Sequence, residues 1–303
     1  PSSTKVNSEQ QSTFFLKTYG CQMNVNDSDI VRRLLYDANF REVNNEADAD
    51  VVLTNTCAIR EGAEAKIWTR LQQLRAQNRK TKGNNTVVGV LGCMAERIPD
   101  DLSNLADVIV GPDAYRDLPR LLNMALEIRE PPQMNVELSR SETYADVTPF
   151  HNESQVSSFV SIQRGCSNRC SFCIVPFTRG IERSRPLESI VEEVRRLVNE
   201  SNVKEVTLLG QNVNSYHDTS VTRVAKHQLS NSGFRSRTKR ESTGFCCAGL
   251  LEAGSQIARD TVRIRFTSPH PKDYPRHLLQ LMADTPNICN HLHMPAQSGS
   301  NTV

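Results

Sequence analysis

Val51-Val52-Leu53-Thr54-Asn55-Thr56-Cys57 reads as a β-strand that stops at a cysteine, and the fold is read outward from it. Upstream, Phe14 to Gly20 reads as a strand that runs into Cys21. Asn26-Asp27-Ser28 supplies N-cap chemistry for a helix through Phe40, with Ile30, Val31, Leu34 and Leu35 on one face. Downstream, the pattern predicts a helix from about Arg60 to Gln77 and a strand over Thr86–Gly92 that ends at Cys93. A fourth strand over Asp107–Gly111 and a helix through about Glu127 follow. Strands alternating with helices predict α/β architecture with a doubly wound parallel sheet. In such a sheet the carboxyl ends of the strands share one edge, where ligands bind. Cys21, Cys57 and Cys93 each lie just past such an end, so the topology brings them together. One such cysteine alone reads as a buried structural thiol. Three in the same topological place point to a metal cluster.

Residues 131–155 are rich in Pro, Ser, Glu and Asn and read as an interdomain connection. Val156–Gln163 then alternates as a strand and leads into Cys166-Ser167-Asn168-Arg169-Cys170-Ser171-Phe172-Cys173. Structural zinc normally takes four ligands. A three-thiol set with one corner open suits a [4Fe–4S] cluster whose fourth iron binds something else. A zinc knuckle completed by a distant His, or buried free thiols, are the plainer readings of the same residues. Pro186–Glu200 is an amphipathic helix with Ile190, Val194, Leu197 and Val198 as its stripe, and Lys204–Leu209 is the next strand. Further strands are expected at Thr261–Thr267 and Ile288–Met294. The succession is β-α-β with the cluster loop after the first strand, as in a (β/α) barrel. The run from Phe159 to Val303 is well short of the ~250 residues of a complete barrel, so a partial, C-terminally truncated barrel is expected. Domain boundaries follow: a disordered lead over 1–13, an N-terminal domain over 14–130, the connection over 131–155 and the barrel domain over 156–303. Residues 215–245 form a Ser/Thr/Asn-rich basic insertion, read as solvated chain rather than an RNA-binding loop.

The chain has 303 residues, 38% hydrophobic and 23% charged, which describes a globular protein with material for a core. No run approaches the ~18 apolar residues of a membrane span, so no membrane partner is expected. A net charge of +2 permits a nucleic-acid partner without arguing for one. The nine cysteines are not spaced as a disulfide framework, and no stretch reads as a signal peptide, which points to a reducing compartment. A start at Pro1 reads as a processed or shortened product. Cys246, Cys247 and Cys289 are left outside the cluster sets.

The C-x₃-C-x₂-C loop with an aromatic before its last Cys resembles the signature of radical S-adenosylmethionine (SAM) enzymes. Further runs extend the likeness: Lys17-Thr18-Tyr19-Gly20-Cys21-Gln22-Met23-Asn24, Thr54–Arg60, Leu91-Gly92-Cys93-Met94-Ala95 and Cys173-Ile174-Val175-Pro176. So do Arg179-Gly180 with Glu182–Arg185, Leu209-Gly210-Gln211-Asn212-Val213-Asn214-Ser215-Tyr216 and Arg265–Pro271. Together they resemble the radical SAM methylthiotransferases, in the branch acting on isopentenylated adenosine of tRNA.

That resemblance implies a transferase with two [4Fe–4S] clusters and SAM as cofactors. Cys166, Cys170 and Cys173 would hold the SAM-cleaving cluster, and Cys21, Cys57 and Cys93 an auxiliary cluster carrying the sulfur. Phe172 would lie beside the adenine of SAM, with Gln211 and Asn212 as further cofactor contacts. The reaction implied methylates the sulfur with one SAM, then uses a 5′-deoxyadenosyl radical from a second to remove hydrogen from adenine C2, where the methylthio group is delivered. Partners implied are a tRNA substrate and an electron donor, and the location implied is mitochondrial, with cytoplasmic as the alternative. The family's last barrel strands and its tRNA-gripping C-terminal β-barrel have no counterpart in the sequence. A reading of another class is a non-catalytic chain that binds a protein partner, such as a kinase regulatory subunit. Methylthiolation of a ribosomal protein shares both motifs, and Gln22-Met23-Asn24 speaks against it.

Overall fold

The computed structural model describes residues 11–58, 61–80, 86–128, 130–152, 154–220, 245–258, 261–271, 274 and 276–300. The chain divides into two compact units, Pro1–Leu138 and Ser139–Val303.

In the first unit the elements run β1 (Thr13–Thr18), α1 (Gln22–Asp37), β2 (Arg41–Glu42), β3 (Val51–Thr56), α2 (Glu61–Lys80) and β4 (Val87–Gly92). Then come α3 (Cys93–Arg97), α4 (Pro99–Leu102), β5 (Val108–Val110), α5 (Leu118–Glu127) and β6 (Gln133–Asn135). The strands form one parallel sheet in the order β2-β1-β3-β4-β5-β6. Every residue of β3 and β4 is buried, which is why these central strands read as predominantly apolar and β-branched runs without polar alternation. Ile67, Leu71 and Leu74 of α2 lie at helical spacing and join Val52, Val88, Val90 and Ile109 of the sheet in one core cluster. Chain order reverses between β1 and β3, the position at which open α/β sheets open a binding crevice.

Two expectations change here. Helix α1 begins at Gln22, with Cys21 as its N-cap residue, so Asn26, Asp27 and Ser28 lie inside the helix. They are buried, and Ser28 and Asp27 meet partners from β1, β3 and the chain before α5, so their polar groups serve tertiary contacts in place of a cap. The stretch expected as a connection over 131–155 contains β6, which pairs with β5 through Val108↔Gln133 to Val110↔Asn135. Its later part packs within the second unit. There Arg183 donates to the carbonyls of Ser139 (2.5 Å) and Glu142 (3.1 Å), and the Arg164 guanidinium lies 4.9 Å over the buried Tyr144 ring.

The second unit contains β7 (Ser157–Ser161), β8 (Gln163–Arg164), α6 (Val175–Thr178), β9 (Arg183–Ser184), α7 (Leu187–Glu200) and β10 (Glu205–Leu209). It continues with β11 (His217–Asp218), β12 (Phe245–Cys246), α8 (Cys247–Ala258), β13 (Arg263–Phe266) and α9 (Arg276–Asp284). Strands β7, β10 and β13 are parallel neighbours in chain order, and Ile264 bridges Ile288 in the same sense. Such unreversed succession is that of a (β/α) barrel wall and differs from the first sheet. Leu250, Leu251 and Ala258 of α8 join Ile190, Val194 and Leu197 of α7 over this sheet.

The strand expected over Ile288–Met294 is a single bridge residue. From Asn290 to Ser300 every residue is exposed, so the alternation His291-Leu292-His293-Met294 has no buried face to place. Most of the basic insertion, 221–244, and the lead over 1–10 lie outside the described residues. No described helix is long and apolar enough to cross a membrane. A cavity of about 620 Å³ opens among Val156, Lys204, Arg263 and Asn287, at the starts of β7, β10 and β13. It lies at the opposite end of these strands from the cysteine loop and contains none of the candidate site residues.

Candidate cluster sites

In the first unit, register decides where the three thiols lie. Thr18 pairs with Asn55, and Tyr19 N–H donates to Asn55 O (2.9 Å), which carries Gly20 alongside Cys57. Thr56 pairs with Gly92, which sets Cys57 beside Cys93. The three therefore leave three adjacent strand ends, Cys57 and Cys93 buried and Cys21 half-buried.

Glycines make that approach possible. A Cβ on Gly20 (φ +113°) would lie 2.6 Å from Cys57 Cβ and 3.2 Å from its sulfur. Gly92 has φ +90° and ψ −154°, a conformation essentially confined to glycine.

Behind the thiols lies a network of buried amides and hydroxyls. Asn24 Nδ2 donates to Thr56 O (2.7 Å), and the Cys21 thiol donates to Asn24 Oδ1 (3.3 Å), so one side chain bridges two cysteine loops. Asn55 Nδ2 donates to Asn24 O and to Ser28 Oγ, both at 2.9 Å, and Thr56 Oγ1 donates to Leu91 O (2.6 Å). Asn24, Asn55, Thr56 and Ser28 are fully buried, and buried polar groups must be satisfied in this way. Sequence reasoning quoted Asn24 and Asn55 inside motifs without assigning them this role.

Glu96, one turn past Cys93, was also missed. Burial, and then the charge of Asp113, raise its pKa to about 7, and its Oε2 has no hydrogen-bond partner.

In the second unit Cys166, Cys170 and Cys173 lie on the loop after β8. Gly165 (φ +69°) turns the chain in, since a Cβ there would collide with the carbonyl oxygens of Gly180 and Ile181. Cys166 N–H donates to Gly180 O (3.1 Å), and Cys173 N–H donates to Cys170 O (3.0 Å), curling the motif on itself. Burial raises the Cys166 pKa, opposed by hydrogen bonds from the Asn168 backbone and side chain. Phe172 is 64% exposed, so its ring belongs to no core and is free to cover a ligand. Gln211 carries a buried Oε1 with no hydrogen-bond partner, at the carboxyl end of β10. Asn212 is buried, and its Oδ1 accepts the His270 backbone N–H (3.2 Å). Ser215 Oγ lies 2.6 Å from Glu182 Oε2 and receives Gln163 Nε2 at 3.0 Å.

A buried ion pair lies just after β9. Arg185 Nη1 donates to Glu193 Oε2 and to Ser161 O, both at 2.7 Å, tying β9 to α7 and β7. Among the described residues no group of three or more His, Cys, Asp or Glu side chains is gathered as around a metal ion. Cys247 is buried with its pKa raised to about 12, and Cys246 and Cys289 lie outside both loops.

Residues 13–111 match the Uncharacterized protein family UPF0004, and residues 160–303 match the Radical SAM superfamily. A "CDK5RAP1-like protein" of Caenorhabditis elegans is 50% identical over 293 residues, covering 94% of this chain and 52% of its own length. The "Mitochondrial tRNA methylthiotransferase CDK5RAP1" of Rattus norvegicus is 48% identical over 302 residues, covering 97% and 51%. The "tRNA-2-methylthio-N(6)-dimethylallyladenosine synthase" of Chloroherpeton thalassium is 45% identical over 297 residues, covering 97% and 59%. The chain thus spans about half the length of the curated relatives it matches. With a UPF0004 region carrying three strand-end cysteines ahead of a radical SAM region carrying C-x₃-C-x₂-C, the chain belongs to the radical SAM methylthiotransferase family.

Proposed function

We propose that the chain is the two-cluster part of a mitochondrial tRNA methylthiotransferase, acting at C2 of isopentenylated adenosine. The observation that supports it is that three thiols leave the carboxyl ends of three adjacent parallel strands in the first unit, and three more lie on the single loop after β8 in the second. Three thiolates leave one iron of a [4Fe–4S] cluster open, and this enzyme needs an open iron twice. The donor chemistry of both sets fits that group.

Cys166, Cys170 and Cys173 would hold the cluster that, when bound, supplies the electron cleaving SAM to methionine and a 5′-deoxyadenosyl radical. Cys21, Cys57 and Cys93 would hold the cluster that carries the sulfur. The chain's own residues do the rest. The Asn24–Asn55 pair holds the Cys21 and Cys57 loops together, and Gly92 lets Cys93 begin α3 hard against Thr56. Exposed Phe172 offers a stacking face for adenine, and the unpartnered Gln211 Oε1 offers an acceptor to a polar group of the cofactor.

Anaerobic reconstitution tests the reading, with about eight irons per chain expected from two [4Fe–4S] clusters. Changing Cys166, Cys170 and Cys173 to Ala should halve the iron and abolish SAM cleavage. Changing Cys21, Cys57 and Cys93 to Ala should also halve the iron but keep cleavage. One tetrahedral zinc at the Cys166–Cys173 loop would overturn the radical reading. Unchanged methylthiolation of tRNA adenosine in cells lacking the gene would overturn the substrate.

A further inference from the structure

The turn after β13 is held by side chains from a different loop. Ser268 has φ +58°, a left-handed kink that redirects the chain toward Pro269 and His270. Asn214, past the end of β10, then meets the His270 backbone as a peptide would. Its Nδ2 donates to His270 O (2.6 Å), and its Oδ1 accepts the His270 N–H (2.7 Å). Asn212 Oδ1 shares that N–H at 3.2 Å. These bonds fix where residue 270 lies but use only its backbone, so they do not explain why it is histidine. The imidazole does have a direction: Nε2 stands 4.0 Å from Cys170 Sγ, at the outer reach of a hydrogen bond to sulfur, across 100 positions of sequence.

We propose that His270 is a positioning residue for the Cys170 thiolate, donating Nε2–H to its sulfur once it ligates iron, with Asn214 setting the imidazole in place. This rests on reading Cys166, Cys170 and Cys173 as cluster ligands. Partners behind a metal ligand orient it, and hydrogen bonds to cluster sulfurs help set the reduction potential. A donor to a thiolate stabilises the reduced, more negative cluster. Removing it makes the cluster harder to reduce and so slows SAM cleavage at a given donor potential.

The test uses the reconstituted chain and follows the EPR signal that changes on adding SAM, titrated against potential. His270→Leu should keep its iron while the midpoint moves negative. His270→Gln, which retains an N–H, should lie between Leu and the parent, and Asn214→Ala should resemble His270→Leu. In the cluster-free protein, alkylation of Cys170 should also change in rate in His270→Leu and Asn214→Ala, a readout independent of catalysis. If His270→Leu fails to load iron, Gln and Asn214→Ala decide by the same midpoint comparison. Full iron with the parent midpoint in His270→Leu, or in both Gln and Asn214→Ala where Leu does not load, overturns this proposal alone. A parent chain that takes up no iron through the Cys166–Cys173 loop overturns the cluster reading and this proposal with it.

Discussion

Gly92→Ala should unfold the first unit at markedly lower denaturant. The backbone there (φ +90°, ψ −154°) lies in a region that a side chain makes unfavourable by about 1–3 kcal/mol. An added methyl would also stand 2.5 Å from Asn55 Oδ1 and 2.7 Å from Thr56 O, and the second is backbone in a fully buried strand. Relief would push Asn55 away from Asn24 and Ser28, and one buried hydrogen-bonding group left unsatisfied costs about 1–3 kcal/mol. Together these give a loss of about 2–6 kcal/mol, centred near 4. With a urea dependence of about 2 kcal/mol per molar, the midpoint should fall by roughly 2 M. The chain's one tryptophan, Trp68, packs half-buried on α2 against the first unit's core, so its fluorescence reports that unit. Gly62→Ala is the control, because an added Cβ there meets nothing within 4 Å. A Gly92→Ala midpoint matching that of Gly62→Ala would refute the strain argument.

Two other perturbations follow from buried charge. Glu96 is protonated more readily folded than unfolded, so the folded state binds extra proton between about pH 4.5 and 7, and stability falls as pH rises through that window. Glu96→Gln should flatten this slope and be more stable than the parent above pH 7, read by Trp68 unfolding at pH 5 and pH 8. An unchanged slope would rule out Glu96 as its source. In the second unit, Glu193→Ala leaves Arg185, only 3% exposed, without its carboxylate and should cost about 3–5 kcal/mol. Changing both to apolar residues of similar size should recover much of that in thermal unfolding, and a double variant worse than the single would contradict it.

How much of this was legible in the sequence depends on where each signal resides. Strand β3 was read to the residue and β4 to within one, because burial on both faces writes itself as a continuous local run. Edge strands β2 and β6 were not read. Arg41-Glu42 and Gln133-Met134-Asn135 carry no apolar pattern, and their pairing comes from the sheet they border. Helix α8 was missed for the opposite reason. Cys247-Ala248-Gly249-Leu250-Leu251 and its neighbours are apolar or small nearly all round, so no stripe separates a buried face from a wet one. The start of α1 was misplaced because Asn26-Asp27-Ser28 has the composition of a cap, while its partners lie elsewhere in the fold.

The same division runs through the sites. Strand-end position and C-x₃-C-x₂-C spacing are local facts, so the six cysteines proposed as ligands could be picked out before any geometry was known. What holds them is not local. Asn24 reaches Thr56 across 32 positions, and His270 reaches Cys170 across 100. Such amides look like ordinary loop polarity in a sequence, and only folding shows them fully buried or shaping another loop's backbone. Under the proposed reading, a cluster with an open iron would make this arrangement useful. Three thiolates would hold that group with one bond fewer than a closed four-ligand site, so the loops bearing them would need their own fixed geometry. In the first unit buried amides fix that geometry: Asn24 Nδ2 is spent on Thr56 O, and Asn55 Nδ2 on Asn24 O and Ser28 Oγ.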